Sequence, residues 1–174
     1  MDLIVDASGG ALWRGARLRC ALGRGGRKMD KREGDGATPI GRWPMRRLHY
    51  RADRLARPQT RLETRAIAEA DGWSDDPSDP LYNRLVVLPH ARSHERLWRE
   101  DHLYDLVVEL GYNDAPPIPG RGSAIFLHLA RADWAATEGC VALAPADLLA
   151  VLAVCGRDSA VEVRAPGSAG AQSA

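Results

Sequence analysis

The stretch AIFLHLARADWAATEGCVALAPADLLAVLAV, residues 124–154, decides the fold because a strand, a loop and a helix follow one another in it. Its first six residues are mostly apolar, which is typical of a central strand. Residues 146–154 place leucines on one helical face; Pro145 suits the first turn of that helix, and Gly156 ends it. The sequence therefore predicts a buried strand, a loop that ends in Gly139-Cys140, and then the main helix.

Most of the remaining chain is predicted to form short strands separated by polar and glycine-rich loops. Apolar or alternating segments predict strands at 3–5, 11–13, 17–22, 40–50, 65–68, 85–88, 104–110 and 161–163. Pro44 is expected to move part of its strand to a sheet edge or a bend. Long loops are expected at 23–39 and 71–83, and a brief helix is expected at 93–96 with Ser93 as its N-cap.

These elements predict a single, mostly β domain over residues 1–165, with one main helix after Cys140 and additional short helices. Residues 166–174 are small and polar, and they predict a disordered tail. A length of 174 residues suits one domain with one core.

The composition excludes several classes of protein. A net charge of +1 gives no overall field for attracting nucleic acid or an anionic membrane, and no face interleaves basic and aromatic residues. Three cysteines are too few for a disulfide scaffold, and the apolar runs are far shorter than the roughly 18 residues of a membrane helix. Of the 24 Lys+Arg residues, only Lys28 and Lys31 are lysines.

The beginning of the chain, MDLIVD, lacks a basic segment and meets Asp6 before any long apolar run, so it does not resemble a signal peptide. We therefore expect a soluble, cytoplasmic protein without membrane insertion. A longer natural N-terminus would make a periplasmic location the expectation instead. The sequence leaves the oligomeric state open.

The candidate chemistry centres on His128, near the end of the predicted strand, and Cys140, at the end of the loop. A thiol attacks as a thiolate, which needs a nearby base or a positive local field. Gly139 has no Cβ, so the chain can bend there and aim backbone N–H groups at a developing oxyanion. A structural cysteine and a core histidine remain the alternative interpretation of this spacing. Cys20 and Cys155 lie on apolar faces and are expected to be structural.

The Thr-x-Gly-Cys-Val element that follows a strand-terminal His resembles the active site of the L,D-transpeptidase (YkuD-like) catalytic domain family. The upstream stretch Gly36-Ala37-Thr38-Pro39-Ile40-Gly41-Arg42-Trp43 is similar to that family's Thr-Pro-x-Gly-x-aromatic stretch. The elements occur in the same order, and the resemblance covers the chain from roughly Cys20 to Val163.

This resemblance implies a β-sandwich or barrel-like L,D-transpeptidase fold and acyl transfer on peptidoglycan stem peptides or muropeptides, without a cofactor. Cys140 would attack the carbonyl between a diamino acid and a terminal D-Ala, and His128 would act as the general base. The N–H groups of Gly139 and Cys140 would form part of the oxyanion hole.

Three positions depart from the family pattern. Glu138 stands where the family usually has His, Ala142 where it often has Arg or Asn, and Leu129 where a Gly commonly follows the strand His. A carboxylate beside the nucleophile raises a thiol pKa unless it points away or orients the His. The short loop between His128 and Thr137 indicates a smaller acceptor site. A smaller acceptor site favours water, so L,D-carboxypeptidase activity on recycled muropeptides is expected at least as much as cross-linking.

The absent signal peptide favours the same hydrolysis, because cross-linking takes place outside the cytoplasmic membrane. A catalytically inactive muropeptide-binding module of the same fold stays open as the alternative.

Several residues are candidates for substrate contacts. Thr137 and Glu138 flank the nucleophile, and four arginines and a Tyr-Asn pair are further candidates: Arg121, Arg131, Arg24, Arg27, Tyr112 and Asn113. His94-Glu95 invites a zinc hypothesis, but a zinc-binding helix needs its second His at position 98, which is Trp98. No metal site is therefore expected.

Overall fold

A computed structural model describes residues 1–167. Within that range it contains one helix, α1 (Pro145–Leu152), and fifteen strands. The strands are β1 (Asp2–Val5), β2 (Ala11–Trp13), β3 (Ala16–Leu18), β4 (Cys20–Ala21), β5 (Arg27–Lys28), β6 (Thr38–Pro39), β7 (Gly41–Tyr50), β8 (Glu63–Ala66), β9 (Asp71–Ser74), β10 (Leu85–Val87), β11 (His94–Arg96), β12 (Leu106–Leu110), β13 (Phe126–Leu129), β14 (Val141–Leu143) and β15 (Ala160–Val163). The prediction of a mostly β fold with one main helix is confirmed.

Ten strands form one sheet in the order β3-β2-β1-β15-β7-β12-β13-β14-β4, with β8 paired to β7. The two strands at the ends of this order, β3 and β4, are separated by a single residue in the chain. A sheet whose ends are joined in this way has to curl on itself, because the chain between them spans only a few ångströms. The result is a nearly closed, barrel-like sheet, consistent with the expected fold.

The two faces of this sheet bury different groups. One face packs on α1 through the main core, which includes Leu48, Val108 and Leu127 together with Leu148 of the helix. On the other face, Val107 lies opposite His128 and Glu109 lies opposite Phe126. Because side chains alternate across a strand, His128 and Phe126 point away from the main core.

A small sheet in the order β10-β9-β11 covers that second face. Trp73 of β9 packs edge-on against Phe126 at 5.2 Å between ring centres, and both belong to a second buried cluster that also contains Tyr104 and Cys140. The space near His128 and Cys140 therefore lies between the large sheet and its small cover.

Two local predictions are wrong. Residues 93–96 are not a helix: His94–Arg96 form β11, whose pairing of Glu95 with Trp73 overrides the local helix signal. The predicted loop 71–83 begins with the buried strand β9, and the Asp71 carboxylate can be buried there because the Arg65 guanidinium binds it at 2.8 and 2.9 Å.

The sequence predicts a sheet edge or a bend at Pro44; the residue lies in β7, a strand of the sheet interior, next to an irregularity in the strand pairing. β7 has β15 on one side and β12 on the other. The pairing register between β7 and β12 shifts between Val108 and Leu110, immediately beside Pro44. Pro44 precedes the last β7–β12 pair, Met45 with Leu110, so its missing N–H lies outside the paired part of β12.

The end of the described chain bears on two further expectations. Pro166 and Gly167 form a turn, and the rest of the predicted tail, 168–174, lies outside the described residues. No helix within residues 1–167 is long and apolar enough to cross a membrane.

Candidate active site

A cavity of about 440 Å³ opens between the main sheet and the small sheet. Five residues predicted from the sequence line it together: Cys140, His128, Thr137, Glu138 and Arg131. The parallel pairing of β13 with β14 explains the arrangement, because it sets His128 beside Ala142 and the preceding turn beside Phe126. Cys140 and His128 are therefore diagonal neighbours on one face of the sheet.

His128 is oriented by the backbone of its own strand. The Nδ1 atom lies 2.8 Å from the Leu129 carbonyl oxygen, which can only accept a hydrogen bond. Nδ1 therefore carries the proton, and Nε2 keeps its lone pair as a base. Burial lowers the pKa of His128 to about 4, so the ring is neutral at pH 7.

Cys140 is buried, and its thiol is hydrogen-bonded to the backbone. Sγ donates to the Ala124 carbonyl at 3.3 Å and accepts from the Phe126 N–H at 3.4 Å. Burial, reinforced by the negative charge of Glu95, raises the pKa of Cys140 to about 12. Within residues 1–167 no hydrogen bond joins Cys140 to His128, so the resting pair is a neutral thiol beside a neutral imidazole.

Gly139 has a backbone conformation that only glycine adopts without strain. Its φ is +135°, and a Cβ would stand 2.8 Å from the Ala37 carbonyl oxygen. The Gly139 N–H donates to Thr137 Oγ1 at 3.1 Å, and that hydroxyl donates to the Cys140 carbonyl at 2.7 Å. Thr137 thus clamps the turn that carries the thiol. The N–H predicted for the oxyanion hole is engaged by Thr137 in this structure.

The family model of the L,D-transpeptidase catalytic domain (YkuD) matches residues 3–163 of the chain. The chain belongs to this family. No curated protein and no solved structure matches it. Membership confirms the resemblance seen in the Gly-Cys and Thr-Pro-x-Gly elements, and it indicates an L,D-transpeptidase-type enzyme that acts on peptidoglycan peptides.

Glu138, which replaces the usual His of the L,D-transpeptidase motif, points to the rim of the cavity. Both of its carboxylate oxygens lie 2.9 Å from Arg24 Nε, and both side chains are largely exposed. The carboxylate does not orient His128; the Leu129 carbonyl does that. Arg24 is therefore paired with Glu138.

The loop between β12 and β13 holds three predicted substrate residues away from the cavity. Tyr112 packs edge-on against Trp43 at 4.9 Å, and its hydroxyl donates to the Arg121 carbonyl at 2.5 Å. The Asn113 amide donates to the carbonyls of Ile118 and Gly122. The structure does not bring Arg121, Tyr112 or Asn113 to the cavity wall.

The arginines of the L,D-transpeptidase domain differ in how fully they are engaged. Arg27 donates to three backbone carbonyls, those of Asp6, Ala7 and Arg164. Arg131 lines the cavity, is about half exposed, and lies 3.8 Å from the nearest carboxylate, that of Asp101. Among the predicted arginines, Arg131 is the one that lines this cavity.

Several cavity residues were not predicted as parts of the site. Glu95 and Tyr104 meet in it through a 2.5 Å hydrogen bond, and burial raises the pKa of each. The Tyr104 ring also packs edge-on against His128 at 5.2 Å. Glu33 lines the cavity from the glycine-rich loop, whose unusual length was the one signal that marked it as functional.

Proposed function

We propose that the chain is a cysteine-dependent L,D-carboxypeptidase that removes the terminal D-Ala from peptidoglycan stem tetrapeptides or muropeptides. The observation that supports this is the placement of Cys140 and His128 on one face of the sheet and in one cavity. His128 Nδ1 is fixed by the Leu129 carbonyl, which leaves Nε2 as the proton acceptor.

The chemistry begins when the Cys140 thiol turns from the Ala124 carbonyl toward His128 and transfers its proton to Nε2. As Nε2 takes this proton, the sulfur attacks the diamino acid carbonyl and a C–S bond forms. His128 then returns the proton to the nitrogen of D-Ala as the C–N bond breaks, which leaves a thioester. Water, deprotonated by His128, cleaves the thioester, releases the tripeptide carboxylate and regenerates the thiol.

Two features support water rather than a second peptide as the acceptor. Ala142 lines the cavity where the family often has Arg or Asn, so a side chain that would hold an acceptor is absent at that position. The loop between His128 and Thr137 has eight residues, which limits the wall available to a second stem.

The decisive assay is incubation with a free or disaccharide tetrapeptide, with the products followed by mass spectrometry. Hydrolysis predicts D-Ala and tripeptide without dimer, whereas a dimer formed with an added acceptor stem would show cross-linking. C140S and H128A should each abolish turnover while their circular dichroism stays that of the wild type. An H128A variant with wild-type turnover would contradict the assignment of the base.

The neutral resting pair supports a second candidate, a muropeptide-binding module without catalysis. Such a module would bind tetrapeptide in calorimetry and return it uncleaved. Exposure to iodoacetamide or a carbapenem, followed by intact mass, separates the two: the enzyme forms an adduct on Cys140, and an inert module remains unmodified there.

A further inference from the structure

Lys31 is a buried lysine in the glycine-rich loop beside the cavity. Its side chain is 2% exposed, whereas lysines are almost never fully buried unless they are paired. Nζ lies 2.9 Å from Asp35 Oδ1 and donates to the Arg32 carbonyl at 3.4 Å. These two acceptors account for two of the three N–H groups of an ammonium. Asp35 and the Arg32 carbonyl thus hold the Lys31 ammonium in place, and its third N–H can point toward another group.

The glycine-rich loop places the Lys31 ammonium next to Gly139, the residue that precedes Cys140. A Cβ on Gly139 would stand 3.4 Å from Lys31 Nζ, and a Cβ on Gly122 would stand 2.9 Å from Lys31 Cε. The lysine thus occupies the space that side chains at these two positions would need. Glycine at both positions lets the ammonium approach the turn formed by Gly139 and Cys140.

The charges that reach Cys140 from the surrounding elements are unequal. Glu95 on β11 and Glu138 in the adjoining loop both disfavour the thiolate, and Lys31 favours it. His128 on the neighbouring strand is neutral, since burial lowers its pKa to about 4. Lys31 is therefore the charge that opposes the two carboxylates at the thiol.

Apart from Arg131, a half-exposed cation that lies 3.8 Å from Asp101, the other charged groups of the cavity are paired with neighbours or are negative. The Arg99 guanidinium donates to both carboxylate oxygens of Asp101. Glu33 accepts from the Ser123 hydroxyl at 2.7 Å, and Asp75 has a buried oxygen without a hydrogen-bond partner. A positive charge held by Lys31 is correspondingly valuable to an ionised sulfur in a site of low dielectric.

Asp35 anchors the Lys31 side chain through an ion pair of 2.9 Å. Burial works against its ionisation, but the backbone N–H groups of Arg32 and Ala37 and the Lys31 ammonium together hold the pKa of Asp35 well below its usual value. The carboxylate is thus ionised at every pH at which the protein would work, and it fixes the lysine side chain by one end of an ion pair.

We propose that Lys31 is a positioning residue of the active site, whose buried ammonium stabilises the Cys140 thiolate from behind the Gly139 turn. The inference rests on the proposed nucleophilic role of Cys140. It assigns a function to one of the two lysines in a chain whose other basic residues are arginines. A compact ammonium suits this space, because the walls at Gly122 and Gly139 are already in close contact with the lysine chain.

Lys28 provides the matched control. It also pairs with Asp35, at 3.5 Å, but its side chain is 47% exposed. Both lysines therefore share a counter-charge and a loop, and they differ in burial and in proximity to Gly139. If the lysines only hold the loop through Asp35, removing either one should have the same effect. If Lys31 stabilises the thiolate, only its removal should slow the reaction of Cys140.

The test measures alkylation of Cys140 by iodoacetamide between pH 7 and 9, followed by mass spectrometry of the peptide that contains Cys140. We expect K31M to react about tenfold more slowly, with its pH profile displaced upward by about one pH unit, and K28M to match the wild type. D35N removes the counter-charge but keeps an Oδ1 atom that can accept from Lys31 Nζ, so the lysine stays anchored and Cys140 should react about threefold faster. Thermal unfolding of each variant establishes that it is folded.

A folded K31M that reacts within twofold of the wild type would overturn the proposal. So would a D35N that reacts more slowly, because two opposite charge changes with the same effect indicate a loosened loop. If K31M does not fold, the D35N variant decides: faster alkylation of Cys140 supports the proposal, and slower alkylation overturns it. Alkylation needs no substrate: a protein that shows these shifts and releases no D-Ala refutes the carboxypeptidase proposal and leaves the role of Lys31 standing.

Discussion

Replacing Gly139 by alanine is expected to destabilise the protein much more than the same change at a glycine with open surroundings. Gly139 has a φ of +135°, a region that residues with a Cβ rarely adopt. The added methyl would stand 2.8 Å from the Ala37 carbonyl oxygen and 3.3 Å from Ile125 Cδ1. The nearest atom belongs to the backbone, so it cannot move aside by rotating a side chain.

The magnitude follows from two separate costs. The backbone strain of a non-glycine residue at this φ is about 1–3 kcal/mol. Overpacking against a fixed neighbour adds about 1–3 kcal/mol. We therefore expect G139A to lose about 4 kcal/mol of unfolding free energy. For a domain of this size that loss corresponds to a fall in Tm of about 8–16 °C.

Gly26 is the matched control because it also has a positive φ, +75°, yet nothing lies within 4 Å of its would-be Cβ. G26A should cost only the backbone term, about 1 kcal/mol, and lower the Tm by about 2–4 °C. The assay is thermal unfolding by circular dichroism, with urea unfolding for the free energy. Equal losses in G139A and G26A would refute the close contact with Ala37. A stable G139A with unchanged Cys140 alkylation would refute the need for this turn.

Two further predictions concern His128 and Arg131. The pKa of His128 is about 4 in the folded protein and about 6.5 in the unfolded chain. As the pH falls, the unfolded chain therefore takes up the proton first. The free energy of unfolding decreases from about pH 6.5 down to 4. Between pH 8 and 5 the free energy of unfolding should fall by about 2 kcal/mol in the wild type and not in H128Q, as measured by urea unfolding. An equal fall in both proteins would contradict the burial of His128. R131A should raise the KM for tetrapeptide several-fold without changing Cys140 alkylation, whereas R121A, which alters a residue outside the cavity, should leave both unchanged.

The elements that the sequence predicts well are those set by neighbouring residues. The strand of His128, the Gly139 turn and α1 follow one another within 29 residues, and each is specified by its own apolar pattern, glycine or proline. The joint placement of Cys140 and His128 follows from this short connection. The fold class was predictable for the same reason, together with the family motif.

The cover of the cavity could not be predicted, because it depends on pairing between distant residues. Glu95 reaches the site only because β11 pairs with β9, and an isolated Ser-His-Glu-Arg segment looks like a helix start. The sequence makes Asn113 a candidate for substrate contact, but its amide closes its own loop by donating to the carbonyls of Ile118 and Gly122. Such hydrogen bonds depend on how the chain folds back, which no local pattern specifies.

The burial that shapes the site also determines how it can react. Burial raises the pKa of Cys140 and lowers that of His128, so transferring the proton from the thiol to the imidazole at rest is energetically unfavourable. A thiolate formed before any bond to substrate would therefore add to the activation barrier.

Proton transfer and attack are therefore expected to be coupled, with the C–S bond forming as Nε2 takes the proton. The Phe126 N–H, 3.4 Å from Sγ, and the ammonium of Lys31 lower the cost from the protein side. The carboxylates at the cavity raise the cost of ionising the thiol, and the charge of Glu95 has the largest effect among them. A substrate that brings its own ammonium next to Glu95 would neutralise that charge and lower the barrier. Diamino acid stems should for this reason be cleaved faster than stems in which that amine is acetylated.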